Sequence, residues 1–124
     1  MAKTIMIIDD SASLRQVVSI ALTNAGYEVI EARDGAELLE LLADVSIAPW
    51  NRPDIIVTDV MMPCYSGLGV LGALKRATWE VPVVVITARA DTVENAKRLG
   101  AVAVFHKPFD ITDFRKAIRA RLSD

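Results

Sequence analysis

Five side chains raise a chemical question before any structural one. Asp9 and Asp10 follow the apolar run Thr4–Ile8, Asp59 ends the run Asp54–Thr58, Thr87 follows Pro82–Ile86, and Lys107 stands just after Val102–Phe105. A carboxylate at the end of a buried run costs free energy unless something pairs with it. Three carboxylates in one crevice repel and raise one another's pKa. A hard divalent cation resolves that conflict: Mg2+ takes oxygen ligands octahedrally, keeps several waters, and is typically held through one or two carboxylates plus phosphate. A carboxylate is also a nucleophile able to form an aspartyl phosphate. Phosphoryl transfer needs positioning and neutralisation of the equatorial oxygens. The metal, the Lys107 ammonium and the Thr87 hydroxyl could each meet a phosphoryl oxygen.

Each residue alone has a plainer use. Asp9 and Asp10 before Ser11 could cap a helix, Asp59 could open the turn over Met61-Met62-Pro63, Thr87 is an ordinary strand residue, and Lys107 beside Pro108 could be a solvated loop lysine. The combination gains weight only if one scaffold gathers all five.

The pattern of the chain supplies such a scaffold. Apolar, β-branched strand candidates are Thr4–Ile8, Tyr27–Glu31, Asp54–Thr58, Pro82–Ile86 and Val102–Phe105. Helical patterns lie between and after them. Leu14, Val17, Val18, Ala21 and Leu22 recur at i, i+3, i+4, i+7 and i+8 and so predict one buried helix face. Ile111, Phe114, Ile118 and Leu122 do much the same near the end. Asp34 with Glu37, Asp91 with Glu94, and Ser13 with Gln16 have capping-box spacing, and Asp110 is a candidate N-cap. Gly26 and Gly100 stand where helices should stop. Asp44–Pro53 reads as a long loop. Five strand-then-helix units imply an α/β, doubly wound parallel sheet with helices on both faces. Such sheets bind ligands outside the carboxyl ends of their strands, which is where the three acids, the hydroxyl and the ammonium fall.

Composition sets the outer bounds. The chain has 124 residues, 52% apolar and 24% charged, with one cysteine, Cys64, and net charge −2. That suits a single domain spanning residues 1–124, with no disulfide framework and a reducing, cytoplasmic setting. The segment before Asp9 is too short for a signal sequence or a membrane span. The net charge argues against nucleic-acid binding by the whole chain. Residues 89–121 hold eight Lys/Arg and four Asp/Glu, the rest six and twelve, so the C-terminal elements carry either a solvated basic face or a partner surface.

The segments "IIDDS", "DVMMP" with the following "SG", "ITA" and "HKPF" resemble the signature of response-regulator receiver domains, the CheY type of two-component signalling. The resemblance runs from Lys3 to about Leu122. It implies a flavodoxin-like (βα)5 fold with strand order 2-1-3-4-5. It also implies Asp59 as phosphoacceptor, Asp10 as a direct Mg2+ ligand, Asp9 acting through water, and the Met61 backbone carbonyl as a further ligand. Thr87 would bond a phosphoryl oxygen, Lys107 would pair with carboxylate or phosphate, and Lys107–Pro108 would be cis. Gly67 would relieve the turn into the third helix. The implied partners are a histidine kinase or histidine phosphotransfer protein and a downstream protein. No output domain, membrane or direct nucleic-acid contact is expected, and the chain would be a monomer or weak dimer that catalyses only its own phosphorylation and dephosphorylation.

Three positions bear on how closely the chain follows the family's pattern. Val104 stands where the family usually has Tyr or Phe, three residues before the lysine, and Phe105 beside it faces the other way by strand alternation. Met61 and Arg89 occupy positions that tune phosphate lifetime in the family. Three other functions compete. A phosphatase of the haloacid dehalogenase class would need an acid two residues after Asp59, where Met61 stands. A flavodoxin-type redox protein would need a hydroxyl- and glycine-rich loop where "DDSAS" puts acids. A receiver-like interaction module that works without phosphorylation has no use for the intact acid, threonine and lysine set. His106 is expected at the surface of the last loop, Cys64 as a partly exposed inert thiol after Pro63, and Trp50 and Trp79 as partly buried loop residues.

Overall fold

The computed structural model describes residues 3–9, 11–33, 37, 40, 53–59, 81–98 and 100–122. Five parallel strands form one sheet: β1 (Thr4–Ile8), β2 (Glu28–Ala32), β3 (Ile55–Asp59), β4 (Val83–Thr87) and β5 (Ala103–His106), in the order β2-β1-β3-β4-β5. The described helices are α1 (Ala12–Asn24), α2 (Val93–Arg98) and α3 (Ile111–Leu122), with a 3-10 turn, Ala90–Thr92, leading into α2. The order is the one the resemblance implied.

Hydrophobic burial accounts for the layering. Every residue of β3 and β4 is buried, as are Ile5–Ile8 of β1, which is why these runs read as continuously apolar: parallel strands are covered on both faces. On one face Ile5, Ile7, Ile55, Val57, Val84 and Ile86 pack with Val18 and Leu22 of α1 and Phe114 and Ile118 of α3. Phe105 and Phe109 close this core around Phe114, with ring centroids 5.3 Å from it in each case. By strand alternation Ile56, Thr58, Val83, Val85, Thr87 and Val104 point to the opposite face, where Ala96 of α2 is buried.

The helix ends follow from local chemistry. Ser11 caps α1, its Oγ accepting from the Leu14 N–H at 3.3 Å. At the other end Tyr27 N–H donates to the Leu22 carbonyl and Gly26 N–H to that of Thr23, with Gly26 at φ 98°, the paired bonds of a Schellman stop. Gly100, at φ 107°, ends α2 in the same way, with Ala101 N–H on Ala96 and Gly100 N–H on Lys97. Asp110 caps α3 through the Thr112 and Asp113 N–H groups at 2.7 and 3.1 Å.

Several expectations need correction. Four strands, all but β1, begin and end one residue later than the apolar runs suggest. Asp54 falls just before β3 because its carboxylate accepts the Thr4 N–H at 2.7 Å while its own N–H donates to the Thr4 carbonyl. Val17 is not part of the buried face: it is 56% exposed, because Val18 and Leu22 aim the helix at the sheet and Val17 lies a flank away. Ser13 with Gln16 is not a capping box, since α1 has already begun at Ala12. Asp91 caps nothing either; its carboxylate grips the Arg89 guanidinium, at 3.1 and 2.7 Å. Glu37 accepts the Arg33 N–H at 2.5 Å. Asp34, the loop 44–52, Cys64, Gly67, Trp50 and Trp79 lie outside the described residues.

Candidate functional site

The strand registers bring the chemistry to one edge. Ile8 is level with Ala32 and Thr58, Asp59 with Ile86, and Thr87 with His106. Asp9 therefore follows β1, Asp59 and Thr87 are the last residues of β3 and β4, and Lys107 follows β5 directly, all at the carboxyl edge of the sheet. The order puts β1 beside both β2 and β3, so the switch point of the topology opens next to Asp9 and Asp59. The Lys107–Pro108 peptide is cis.

Lys107 joins the acids. Its Nζ donates to Asp59 Oδ2 at 2.7 Å and reaches Asp9 Oδ2 at 3.4 Å. Both carboxylates are buried, Asp9 at 2% and Asp59 at 5% exposure. Asp9 Oδ1 accepts the Ser11 N–H at 2.8 Å, so this acid both braces the entry to α1 and faces the crevice. Burial is the main force raising the Asp9 pKa; the Ser11 N–H opposes it, the Asp59 charge adds to it, and Lys107 opposes it. For Lys107, burial pulls the ammonium down, but the hydrogen bond to Asp59 and the charges of Asp9 and Asp59 together leave its pKa raised. Two buried acids share one cation, and Asp9 retains the cost of its burial.

This donor set suits a hard divalent cation. It offers carboxylate oxygens and holds more negative charge than Lys107 relieves, and among the described residues no third acid joins the two. Asp10 and Met61, the other expected ligands, lie outside the described residues.

Thr87 shares the edge but is turned away from the acids. It is fully buried, and its Oγ1 accepts the Arg89 N–H at 2.9 Å and lies 2.8 Å from Thr92 Oγ1. Arg89 is likewise engaged, by Asp91, rather than extended over the crevice. Val104 pairs with Val85 on Thr87's face of the sheet, and His106 is exposed. Two contributors escaped the sequence reading. Arg15 reaches from α1 to the Asp9 backbone carbonyl and lies 3.5 Å from Glu31; a lone arginine in the second turn of a helix carries no signal of this. Thr92 is the other, and its only signal is a second hydroxyl close behind Thr87.

A doubly wound five-stranded parallel sheet with buried acids and a lysine converging at its switch point defines the class of CheY-like α/β folds. The model of the response regulator receiver domain matches residues 5–119. The chain belongs to that family, whose members are the receivers of two-component signalling. It is 37% identical over 120 residues to the response regulator MprA of Mycobacterium sp. (strain KMS), an alignment covering 95% of this chain and 50% of that protein. The chain thus spans about half the length of the first curated relatives it matches. It is 29% identical to sporulation initiation phosphotransferase F of Bacillus subtilis, over 98% of this chain and 95% of that one. Among solved structures, the chemotaxis response regulator CheY4 of Vibrio cholerae superposes with a TM-score of 0.83 at 30% identity, covering 98% of this chain and 100% of that one. Among the described residues no helix is long and apolar enough to cross a membrane.

Proposed function

We propose that this receiver accepts a phosphoryl group on Asp59 from a histidine kinase or histidine phosphotransfer protein and so changes a surface that a downstream protein reads. The observation that carries the proposal is the Lys107 bridge between Asp59 and Asp9 at the carboxyl edge of β3 and β1. An Asp59 oxygen attacks phosphorus, the phosphorus–nitrogen bond to the donor imidazole breaks, and the freed imidazole keeps the bond's electron pair and takes up a proton. Lys107, already placed against Asp59, is at hand to neutralise the incoming phosphoryl oxygens. Mg2+ would be held by Asp59, Asp10 and the Met61 carbonyl, with Asp9 acting through water, and when bound supplies charge neutralisation at the transferring group. The chain acts on no separate substrate in this reading. As a receiver it works as a monomer or weak dimer in the cytoplasm.

The test is uptake from a small donor. Acetyl phosphate with Mg2+ should label the chain, and EDTA should abolish labelling. Labelling that proceeds equally in EDTA would defeat the metal-dependent reading. Within the cluster, Asp10→Ala should weaken Mg2+ binding more than Asp9→Ala in a metal titration; equal losses would reverse those two roles.

The departure at Val104 makes a separate prediction. In the resembled family the threonine at this place moves toward the phosphoryl group and an aromatic ring behind it swings inward; Val104 has one χ angle and a strong rotamer preference, so it cannot make that swing. Backbone NMR signals should shift strongly at Thr87–Asn95 on adding beryllofluoride with Mg2+, and weakly at Arg115–Arg121. Val104→Tyr should enlarge the second set. Large wild-type shifts in α3, unchanged by Val104→Tyr, would show that the missing ring does not limit the response.

A further inference from the structure

We propose that Thr92 is a positioning residue that holds the Thr87 hydroxyl away from Asp59 in the phosphate-free receiver and passes its release to α2. The proposal rests on the phosphoryl-accepting reading of Asp59 and adds to it a residue on the loop after β4.

The hydrogen bonds leave Thr87 no spare proton. A threonine hydroxyl has one O–H to donate and lone pairs to accept with. Thr92 Oγ1 donates to the Arg89 carbonyl at 2.7 Å. Thr87 Oγ1 accepts the Arg89 N–H at 2.9 Å, and its own proton is left for Thr92 Oγ1 at 2.8 Å, with the Arg89 carbonyl at 3.2 Å as the weaker choice. In either arrangement the proton stays inside the turn. A phosphoryl group carries acceptors only, so Thr87 can serve one only after this bond is broken.

The turn that holds Thr87 is itself braced. Thr92 N–H donates to the Arg89 carbonyl at 3.2 Å, closing the 3-10 turn. The Arg89 guanidinium forks onto Asp91, which tethers the same turn from outside. Thr92 is the last residue of the turn and directly precedes α2. Release of Thr87 therefore removes a contact at the point where α2 begins, a short helix of six residues. Thr87 and Val104 share a face of the sheet, and Val104 has no ring to carry the change toward α3, so among the described residues the Thr92 contact links this edge to the start of α2.

The experiment compares wild type, Thr92→Val and Thr92→Ser. Valine keeps the shape and removes the hydroxyl; serine keeps the hydroxyl. Without any phosphate mimic, side-chain NMR couplings should show one Thr87 χ1 rotamer in wild type and Thr92→Ser, and averaging in Thr92→Val. With Mg2+ and beryllofluoride, Thr92→Val should bind roughly two- to tenfold more tightly than wild type, the equilibrium weight of one ordinary hydrogen bond, and Thr92→Ser should stay near wild type. A single Thr87 rotamer in Thr92→Val, or unchanged beryllofluoride affinity, overturns the proposal. Tightening in Thr92→Ser as well would overturn it too, because the hydroxyl is then not the cause. Rotamer averaging in Thr92→Val with no beryllofluoride binding by any of the three proteins supports the latch and defeats the phosphoryl reading of Asp59 instead.

Discussion

Lys107→Met lowers stability at neutral pH by about 1–3 kcal/mol in metal-free solution. The lower end reflects the partial exposure of the ammonium, the upper end the penalty for leaving buried charge without its partner. Nζ is the cation that Asp59 and Asp9 share, at 2.7 and 3.4 Å, so its loss removes the positive charge held between two buried carboxylates. The dependence on pH has a definite sign. The Lys107 pKa is raised, so its contribution is fully present below the ordinary lysine value and disappears as pH rises through the folded one. On the acid side the deficit of the variant shrinks, because a protonated Asp9 no longer needs a cation. Chemical denaturation across a pH series in EDTA measures this. A deficit that is constant from acidic to neutral pH would mean that Lys107 acts through packing and not through charge.

Asp9→Asn moves stability the other way. The folded pKa of Asp9 is raised above the ordinary aspartate value, chiefly by burial, so the native state binds a proton more readily than the unfolded chain. Stability of the wild type then falls as pH rises from that value through the raised folded one, and ionised Asp9 is a burden at pH 7. Asparagine keeps an oxygen for the Ser11 N–H and drops the charge. In EDTA at pH 7 the variant should be more stable than wild type by more than the ~0.5 kcal/mol of an inert surface change, and the gain should vanish in acid. Added Mg2+ should stabilise wild type more than the variant, by the ordinary linkage of ligand to folding. A less stable Asp9→Asn in EDTA at neutral pH would mean that Asp9 supports the fold chiefly as an anion.

The opposite signs of these two substitutions come from one cluster, and the cluster was largely legible. Buried runs ending in Asp59 and Thr87 mark strands covered on both faces, and the alternation with helical patterns brings their ends to one edge. The limits are equally physical. Apolar pattern alone does not tell whether the polar residue closing a run still belongs to the ladder, so the runs stop short of Asp59 and Thr87, which β3 and β4 include. Val17 satisfies helical spacing yet lies on a flank, because periodicity sets a face only to within a residue of its rim. Asp91 has the spacing of a cap but finds a stronger partner in Arg89. The resemblance implies that Thr87 bonds a phosphoryl oxygen after transfer, whereas in the phosphate-free receiver its hydroxyl is held in the turn after β4. Its rotamer depends on Thr92, a local competition that residue types along the chain do not reveal. That Lys107 serves Asp9 as well as Asp59 needed the register of β1, β3 and β5 together.

The central claim is that Asp59 is the acceptor, and intact mass measures it. Wild type and Asp59→Asn are incubated with acetyl phosphate and Mg2+ and compared with untreated protein. The expected result is a gain of one phosphoryl group by the wild type and none by Asp59→Asn. An equal gain by Asp59→Asn would contradict the assignment, because the phosphate would then sit on another residue.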